Sequence, residues 1–268
     1  MVKVISGDNF SKHEQKDMEL FNSISSKYLN KDLSIQSSVA RKERLMSSLE
    51  YVDFKESDRI LEIGCGAGFS VQYLDRPYSE YIGVDYSKGL IDYANRFNSS
   101  EKAKFICTNI RDYKPNEKFD VVFMIGVLHH FDDLAVIMGH IVALLKPGAV
   151  LIANEPQASN KIVQVLRQVR TKLDKGYSDD QIQFLPHDLE NIFEKSGLEQ
   201  VQTFSQGYFS TPFAEVILKP KWLFYPITKV SVTCDQLIQR NSIRFKKTLG
   251  WNVVGIGIKP STAVANDE

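Results

Sequence analysis

The sequence predicts an α/β fold, a mostly parallel sheet with helices on both faces, and three observations carry the prediction. From Asp58 onward, short apolar runs alternate with amphipathic helical segments. The first run empties into a glycine-rich loop, Gly64-Cys65-Gly66-Ala67-Gly68. The second ends on an acid, Asp85. Strands that alternate with helices in this way lie parallel and are covered on both faces.

Each element follows from its own pattern. Residues 1–12 read as a loose start. Residues 13–50 read as helical, because Met18, Phe21, Ile24 and Tyr28 recur at roughly helical spacing, as do Val39, Leu45, Met46 and Leu49. The polar stretch 30–38 is expected to separate two helices. Residues 59–63, 81–84, 104–108, 121–126 and 150–154 are five short apolar runs with the composition of buried strands. Between the last two, Ile137, Ile141, Leu144 and Leu145 share one helical face, and Pro147-Gly148 is expected to force a turn before the fifth strand.

Past Pro156 the rhythm loosens. Residues 160–174 read as an extra, basic helix and 175–180 as a polar loop. Residues 188–196 read as a helix stopped by Gly197, followed by a sixth strand at 198–204. Residues 251–258 are a seventh. The stretch between these strands, 205–250, is a long insertion rich in aromatics: Tyr208, Phe209, Phe213, Trp222, Phe224 and Tyr225. Pro220 and Pro226 are expected to break any long helix there. The chain thus divides into a helical segment at 1–50, a main domain at 51–260 and a tail at 261–268.

Composition excludes several classes. Of 268 residues, 43% are hydrophobic and 25% charged, the balance of an ordinary globular protein. Lys+Arg and Asp+Glu both number 33, so the basic excess that phosphate neutralisation demands of a dedicated nucleic-acid binder is missing. Cys65, Cys107 and Cys234 are odd in number and widely spaced, which suits reduced thiols in a cytoplasm rather than disulfides or a zinc site. No signal-peptide pattern opens the chain, and no apolar run reaches the ~18 residues of a membrane span. Both a monomer and a homodimer remain open.

The glycine loop is the informative segment. Its pattern is G-x-G-x-G, and Phe69 stands where a dinucleotide fingerprint needs its third glycine. The Gly-Lys-Ser/Thr ending of a phosphate-binding P-loop is also missing. Gly64 allows the chain to turn, and Gly66 allows close approach of a ligand to the backbone. Asp85 lies 21 residues after Gly64, where a carboxylate can accept hydrogen bonds from both hydroxyls of a ribose. Its other reading is a cap for the following helix, for which Ser87 is also well suited.

Loop, spaced acid and strand order together resemble the class I S-adenosylmethionine-dependent methyltransferases. The resemblance covers roughly residues 58–204, with a last strand at 251–258. Glu62, Gly64, Cys65, Gly66 and Gly68 fall in the segment similar to the family's first motif. Asp85, with Tyr86 beside it, matches its ribose-binding acid. Asn109 and Ile110 sit where the family places adenine contacts; many members carry Asp in place of Asn109, whose carbonyl oxygen can still accept from the adenine amino group. The stretch 119–131, with Ile125 facing the cofactor, is similar to the fourth motif, and 145–149 to the turn before the fifth strand.

The resemblance implies a Rossmann-like, seven-stranded sheet whose last strand is antiparallel. It implies S-adenosyl-L-methionine as cofactor and S-adenosyl-L-homocysteine as product. It also makes the helices at 13–50 a lid over the cofactor, with Tyr28 as either a lid contact or a core aromatic. The long 205–250 connection departs from the short link of minimal members.

Methyl transfer is an in-line displacement that depends on holding the acceptor in a desolvated pocket, and a hydroxyl acceptor benefits from a general base. His129 and His130 follow the fourth strand at the sheet end where ligands bind. Either is a candidate base, with His130 preferred; the alternative is a structural pair. Glu155 follows the fifth strand and reads as a group that orients the acceptor or as a solvated turn residue. His187 opens a helix, as a substrate contact or a capping or surface residue. Tyr208 and its insertion read as the lining of an acceptor pocket, a dimer contact or a shallow membrane contact.

The Asn/Asp-Pro-Pro-Tyr and Pro-Cys signatures of DNA-base methylation are missing. The expected activity is methyl transfer to a small metabolite, at a hydroxyl before carbon or nitrogen. A nicotinamide-dependent oxidoreductase and a non-catalytic adenosylmethionine-binding protein are the alternatives, and Phe69 argues against the first.

Overall fold

The computed structural model describes residues 29–165, 167, 182–241 and 248–261, together with residues 15, 19, 23 and 26. Tyr28 and most of the expected basic helix and polar loop at 160–180 lie outside the described residues. The main chain runs α1 (Ile35–Ser48), β1 (Arg59–Ile63), α2 (Ser70–Tyr73), β2 (Glu80–Asp85), α3 (Lys88–Phe97), β3 (Ala103–Cys107) and β4 (Phe119–Ile125). It continues through α4 (Leu134–Ala143), β5 (Leu145–Pro156), α5 (Pro186–Lys195), β6 (Glu199–Gln206), α6 (Thr211–Glu215), α7 (Lys221–Asn241) and β7 (Asn252–Ile258).

The seven strands form one sheet in the order β3-β2-β1-β4-β5-β7-β6. β1 to β5 are parallel, and β7 runs antiparallel between β5 and β6. This is the seven-stranded, Rossmann-like arrangement that the family resemblance implied. The central strands are apolar at successive positions because both faces are covered. Leu61, Ile63, Val122 and Met124 join one core with Ile137, Ile141 and Phe193 of the helices. Ile60, Val121 and Phe123 join the other with Leu45, Tyr81, Ile91 and Phe105. Order reverses between β1 and β4, so the loops after these strands open a crevice at their carboxyl ends.

Three expectations change in detail. The break at 30–38 is much narrower, since helix resumes at Ile35 and only Leu33 and Ser34 interrupt it. The fifth strand begins before Pro147-Gly148: Phe119 pairs with Leu145 and, after an irregularity, Val121 with Val150. Gly148, at φ +77°, absorbs that turn within the strand. The third is α7, which runs 21 residues straight through Pro226. The proline stands only in the second turn, so one early backbone bond is forfeited and the remaining turns are unaffected.

Candidate active site

The glycine loop is built against its neighbours. Gly64 and Cys65 both donate their N–H to the Val84 carbonyl, at 2.8 and 3.1 Å. Gly64, Gly66 and Gly68 all have positive φ, between 53° and 75°. Reasons for the three glycines differ. A Cβ on Gly64 would stand 2.5 Å from Val127 Cγ2, and one on Gly68 would stand 2.6 Å from the Phe105 ring. A Cβ on Gly66 would meet only Leu90 Cδ1, at an ordinary contact distance of 3.9 Å, so it is the positive φ rather than crowding by protein that asks for glycine here. Cys65 is buried, and burial pushes its thiol well above the usual range; it is a small packing residue, not a nucleophile. Phe69 stacks on Tyr93 at 5.8 Å between centroids.

Asp85 ties the second strand to this loop. One carboxylate oxygen accepts from Gly66 N at 2.9 Å, the other from Ser87 N at 2.8 Å. Ser87 occupies the cap position of α3 but makes no side-chain cap bond, so Asp85 also does local work there. Burial raises its carboxyl above the ordinary range, while the two N–H groups and nearby His130 act the other way. Each oxygen keeps a lone pair for a further donor. Asp85 pairs with Cys107 across β2 and β3, and Cys107 Sγ lies 3.6 Å from the Tyr86 carbonyl. That pairing brings Asn109 and buried Ile110 to the same edge.

Asn109 differs from expectation in its chemistry. Its side-chain oxygen accepts from Arg111 N at 3.0 Å and caps the turn Ile110–Asp112. Its Nδ2 is buried and has no partner. The available group is therefore a donor, suited to a ring nitrogen of adenine rather than to its amino group.

Glu62 lies behind the loop. It accepts from Ser70 Oγ at 2.6 Å and from the Tyr81 hydroxyl, and burial lifts its carboxyl to about 7. Ile125 closes β4 opposite Asn154 of β5.

At that junction stands a buried acid–imidazole pair. Glu155 is fully buried, accepting from Val127 N at 2.9 Å and Leu128 N at 2.8 Å through Oε1. Its Oε2 lies 2.7 Å from His129 Nδ1. It is thus neither a solvated turn residue nor free to orient an acceptor. Burial alone would raise Glu155, but His129 and the two N–H groups outweigh it and hold the carboxyl below its usual range. His129 is lowered by its own burial and by His130, against the pull of Glu155. The pair is therefore a neutral imidazole and a carboxylate, with the proton on Nδ1 and Nε2 left as an acceptor. The two histidine rings lie 4.0 Å apart, and His130 is close enough for its charge to act on Asp85.

His187 and Tyr208 have local partners. His187 is exposed on the first turn of α5, its Nε2 3.3 Å from Asp188 Oδ1. The Tyr208 hydroxyl donates to the Ser205 carbonyl at 3.3 Å, and burial raises its phenol.

Sequence reasoning missed what α1 contributes. Arg44 donates through Nε and Nη2 to Asn154 Oδ1, at 3.1 and 3.0 Å, and through Nη1 to Glu215 at 3.1 Å. Asn154 Nδ2 donates to Ser48 Oγ at 2.7 Å and to Gln206 Oε1 at 3.0 Å. A Cβ on Gly126 would find Arg44 Nη2 at 3.5 Å and His129 Cε1 at 3.6 Å, so this arginine reaches the histidine corner. Toward the other end, Arg41 pairs with buried Asp32, whose charge reaches Glu62 and Tyr73. Both amide atoms of Gln36, the hydroxyls of Ser34 and Ser37, and Tyr73 OH are buried without partners.

Fold and loop define the class: a doubly wound sheet with an adenosine-type glycine loop after β1 and an acid after β2. A family model described as a methyltransferase domain, Methyltransf_23, matches residues 38–203. The chain belongs to the class I S-adenosylmethionine-dependent methyltransferases, and its cofactor is S-adenosylmethionine.

It is 34% identical over 100 residues to a ubiquinone biosynthesis O-methyltransferase of Bradyrhizobium sp. (strain ORS 278), covering 36% of this chain and 39% of that relative. It is 33% identical over 116 residues to a malonyl-[acyl-carrier protein] O-methyltransferase of Acetivibrio thermocellus, covering 41% of each. The chain thus spans well under two thirds of either relative's length. In structure it is similar to a possible histamine N-methyltransferase of Thermotoga maritima, with TM-score 0.61, 17% identity, and 90% and 98% of the two chains covered. A plantazolicin methyltransferase in complex with a triazolic desmethylPZN analog and S-adenosylhomocysteine aligns with TM-score 0.57 at 17% identity, over 94% and 97% of the chains. At such identities the likeness is one of fold.

Two observations fit the residues to the cofactor. Protein does not crowd Gly66, which leaves its backbone approachable by a ligand, and the orphaned Asn109 Nδ2 is a buried donor awaiting an acceptor.

Proposed function

We propose that the protein methylates a hydroxyl of a small metabolite, with Asp85, Gly66 and Asn109 holding the adenosyl part of the cofactor and His129 receiving the acceptor's proton. The observation that carries this reading is the buried His129–Glu155 pair at the end of β4 and β5. The cofactor, when bound, would supply an electrophilic methyl carbon on a positively charged sulfur, and that sulfur would leave with the electron pair of the C–S bond. His129 Nε2 takes the hydroxyl proton as the new O–C bond forms, and Glu155 stabilises the imidazolium while keeping the ring in one tautomer. His130 is close enough to Asp85 for its charge to act on that carboxyl, whereas His129 alone is held by a buried carboxylate, which supports His129 over His130 as the base. The two O-methyltransferase relatives support a hydroxyl or carboxyl oxygen as the acceptor atom.

The test is S-adenosylhomocysteine release with a panel of phenolic, enolic and carboxylic acceptors. His129→Ala is expected to slow turnover roughly 10²–10⁴-fold with little change in cofactor affinity. Glu155→Gln is expected to lower kcat rather than raise KM. Equal rates for His129→Ala and wild type on every acceptor would exclude the proposed base.

A further inference from the structure

We propose that the protein docks on an anionic lipid bilayer through the outer face of α7, the 21-residue helix of the insertion. The helix is inside out. Its core-facing residues are polar: Thr228, Asp235 and Gln239 are buried. Its outer face is apolar: Trp222 is 77% exposed, Val230 64% and Leu237 53%, with Leu223 and Ile227 also exposed. Positions 223, 227, 230 and 237 repeat at helical spacing, so these side chains form one stripe beside Trp222. The inward side is satisfied within the protein. Asp235 accepts from Phe209 N and Ser210 N at 2.9 and 3.0 Å, and Gln236 donates to Glu43 of α1 at 2.6 Å. The helix is therefore firmly seated by its polar face, and the apolar stripe faces outward.

The charge around the stripe selects the occupant. Between residues 207 and 239 the exposed charges are Lys219, Lys221 and Lys229, all cationic. The two acids of this stretch are engaged, Asp235 in the core and Glu215 with Arg44. A second copy of the chain would bring its own stripe about a two-fold axis and set these lysines against their equals, with no exposed acid between residues 207 and 239 to pair them. A lipid surface with negative headgroups meets both features: Trp222 and the aliphatic stripe enter the headgroup boundary, and the lysines remain among the phosphates. No helix among the described residues is long and apolar enough to cross a membrane, so the contact is interfacial. The whole molecule has no net charge, so the attraction is local to this face. The inference is independent of which acceptor is methylated.

Co-sedimentation of the full chain with vesicles of phosphatidylglycerol and phosphatidylcholine tests it, with pure phosphatidylcholine vesicles as the second arm. Binding is expected with the anionic vesicles and is expected to weaken as salt rises. Reversal of one lysine, Lys221→Glu or Lys229→Glu, should weaken it about fivefold or more. The Trp222→Glu, Val230→Glu double variant should remove it while leaving methyl transfer to a soluble acceptor unchanged. The chain has only two tryptophans, so a blue shift of emission that Trp222→Phe abolishes would place this side chain in the bilayer. Failure to bind anionic vesicles would overturn the proposal, as would binding that survives the double variant. So would a dimer that the double variant dissociates, which would assign the stripe to a second copy.

Discussion

At the scale of the residue, Glu62 shows how burial turns an ordinary side chain into a pH-sensitive one. Its carboxyl ionises at about 7 in the folded protein against 4.5 ordinarily, because burial outweighs the Ser70 and Tyr81 hydrogen bonds. Between these values the unfolded chain has released this proton while the folded chain still holds it. Stability from this group is therefore fully present below pH 4.5 and falls as pH rises to about 7, by about 3 kcal/mol in all. Glu62→Gln removes the titration, so thermal melts of the variant should lack that fall relative to wild type over the same interval. A parallel fall in both proteins would reject the assignment. His129 has the opposite sense: its lowered value means its neutral form persists to more acidic pH, and turnover should decline only on that acid side. Asp85 was legible in the sequence because a strand, a glycine loop and a fixed interval define its place. Glu155 was not, since an acid after a strand looks the same whether it is solvated or, as here, buried under two N–H groups and an imidazole.

At the scale of the element, the three loop glycines separate binding from folding. Gly68→Ala would drive a methyl into the Phe105 ring at positive φ, and a loss of about 2–4 kcal/mol in a denaturation curve is expected. Gly66→Ala meets no protein atom closer than 3.9 Å, so it should cost only about 1 kcal/mol of stability while sharply weakening cofactor binding. If the two variants lost stability and affinity in equal proportion, the space over Gly66 would not be a ligand's. The central strands were readable because burial on both faces leaves continuous apolar runs. α1 was only half readable: its periodicity shows a helix, but its buried Gln36, Ser37, Glu43, Ser47 and Ser48 look in sequence like a solvated face. α7 was misread because its two prolines suggested a break, whereas Pro220 precedes the helix and Pro226 removes one early bond.

At the scale of the whole molecule, the sheet brings five separate stretches of chain to one crevice. The β1 loop, the β2 acid and the Asn109 turn line one side, while the β4 and β5 ends carry the histidines and Glu155. α1 packs beside the β5 end, joined to it by Arg44 and Asn154, and rests on α6 and α7. Fold class and cofactor follow from the order of motifs along the chain, which the sequence displays directly. How α1, α6 and α7 pack beside the β5 end depends on long-range contacts between residues around 40, 155, 206 and 236, and no local spacing records those.

The crevice suits an adenosyl amino acid, and calorimetric titration with S-adenosylhomocysteine and with NAD tests this most directly, on wild type and on Asp85→Ala. S-adenosylhomocysteine should bind wild type and bind the variant roughly ten- to a hundredfold more weakly, the loss of charged hydrogen bonds to the ribose, while NAD binds neither. Binding of NAD in preference to S-adenosylhomocysteine, or an affinity indifferent to Asp85→Ala, would contradict it.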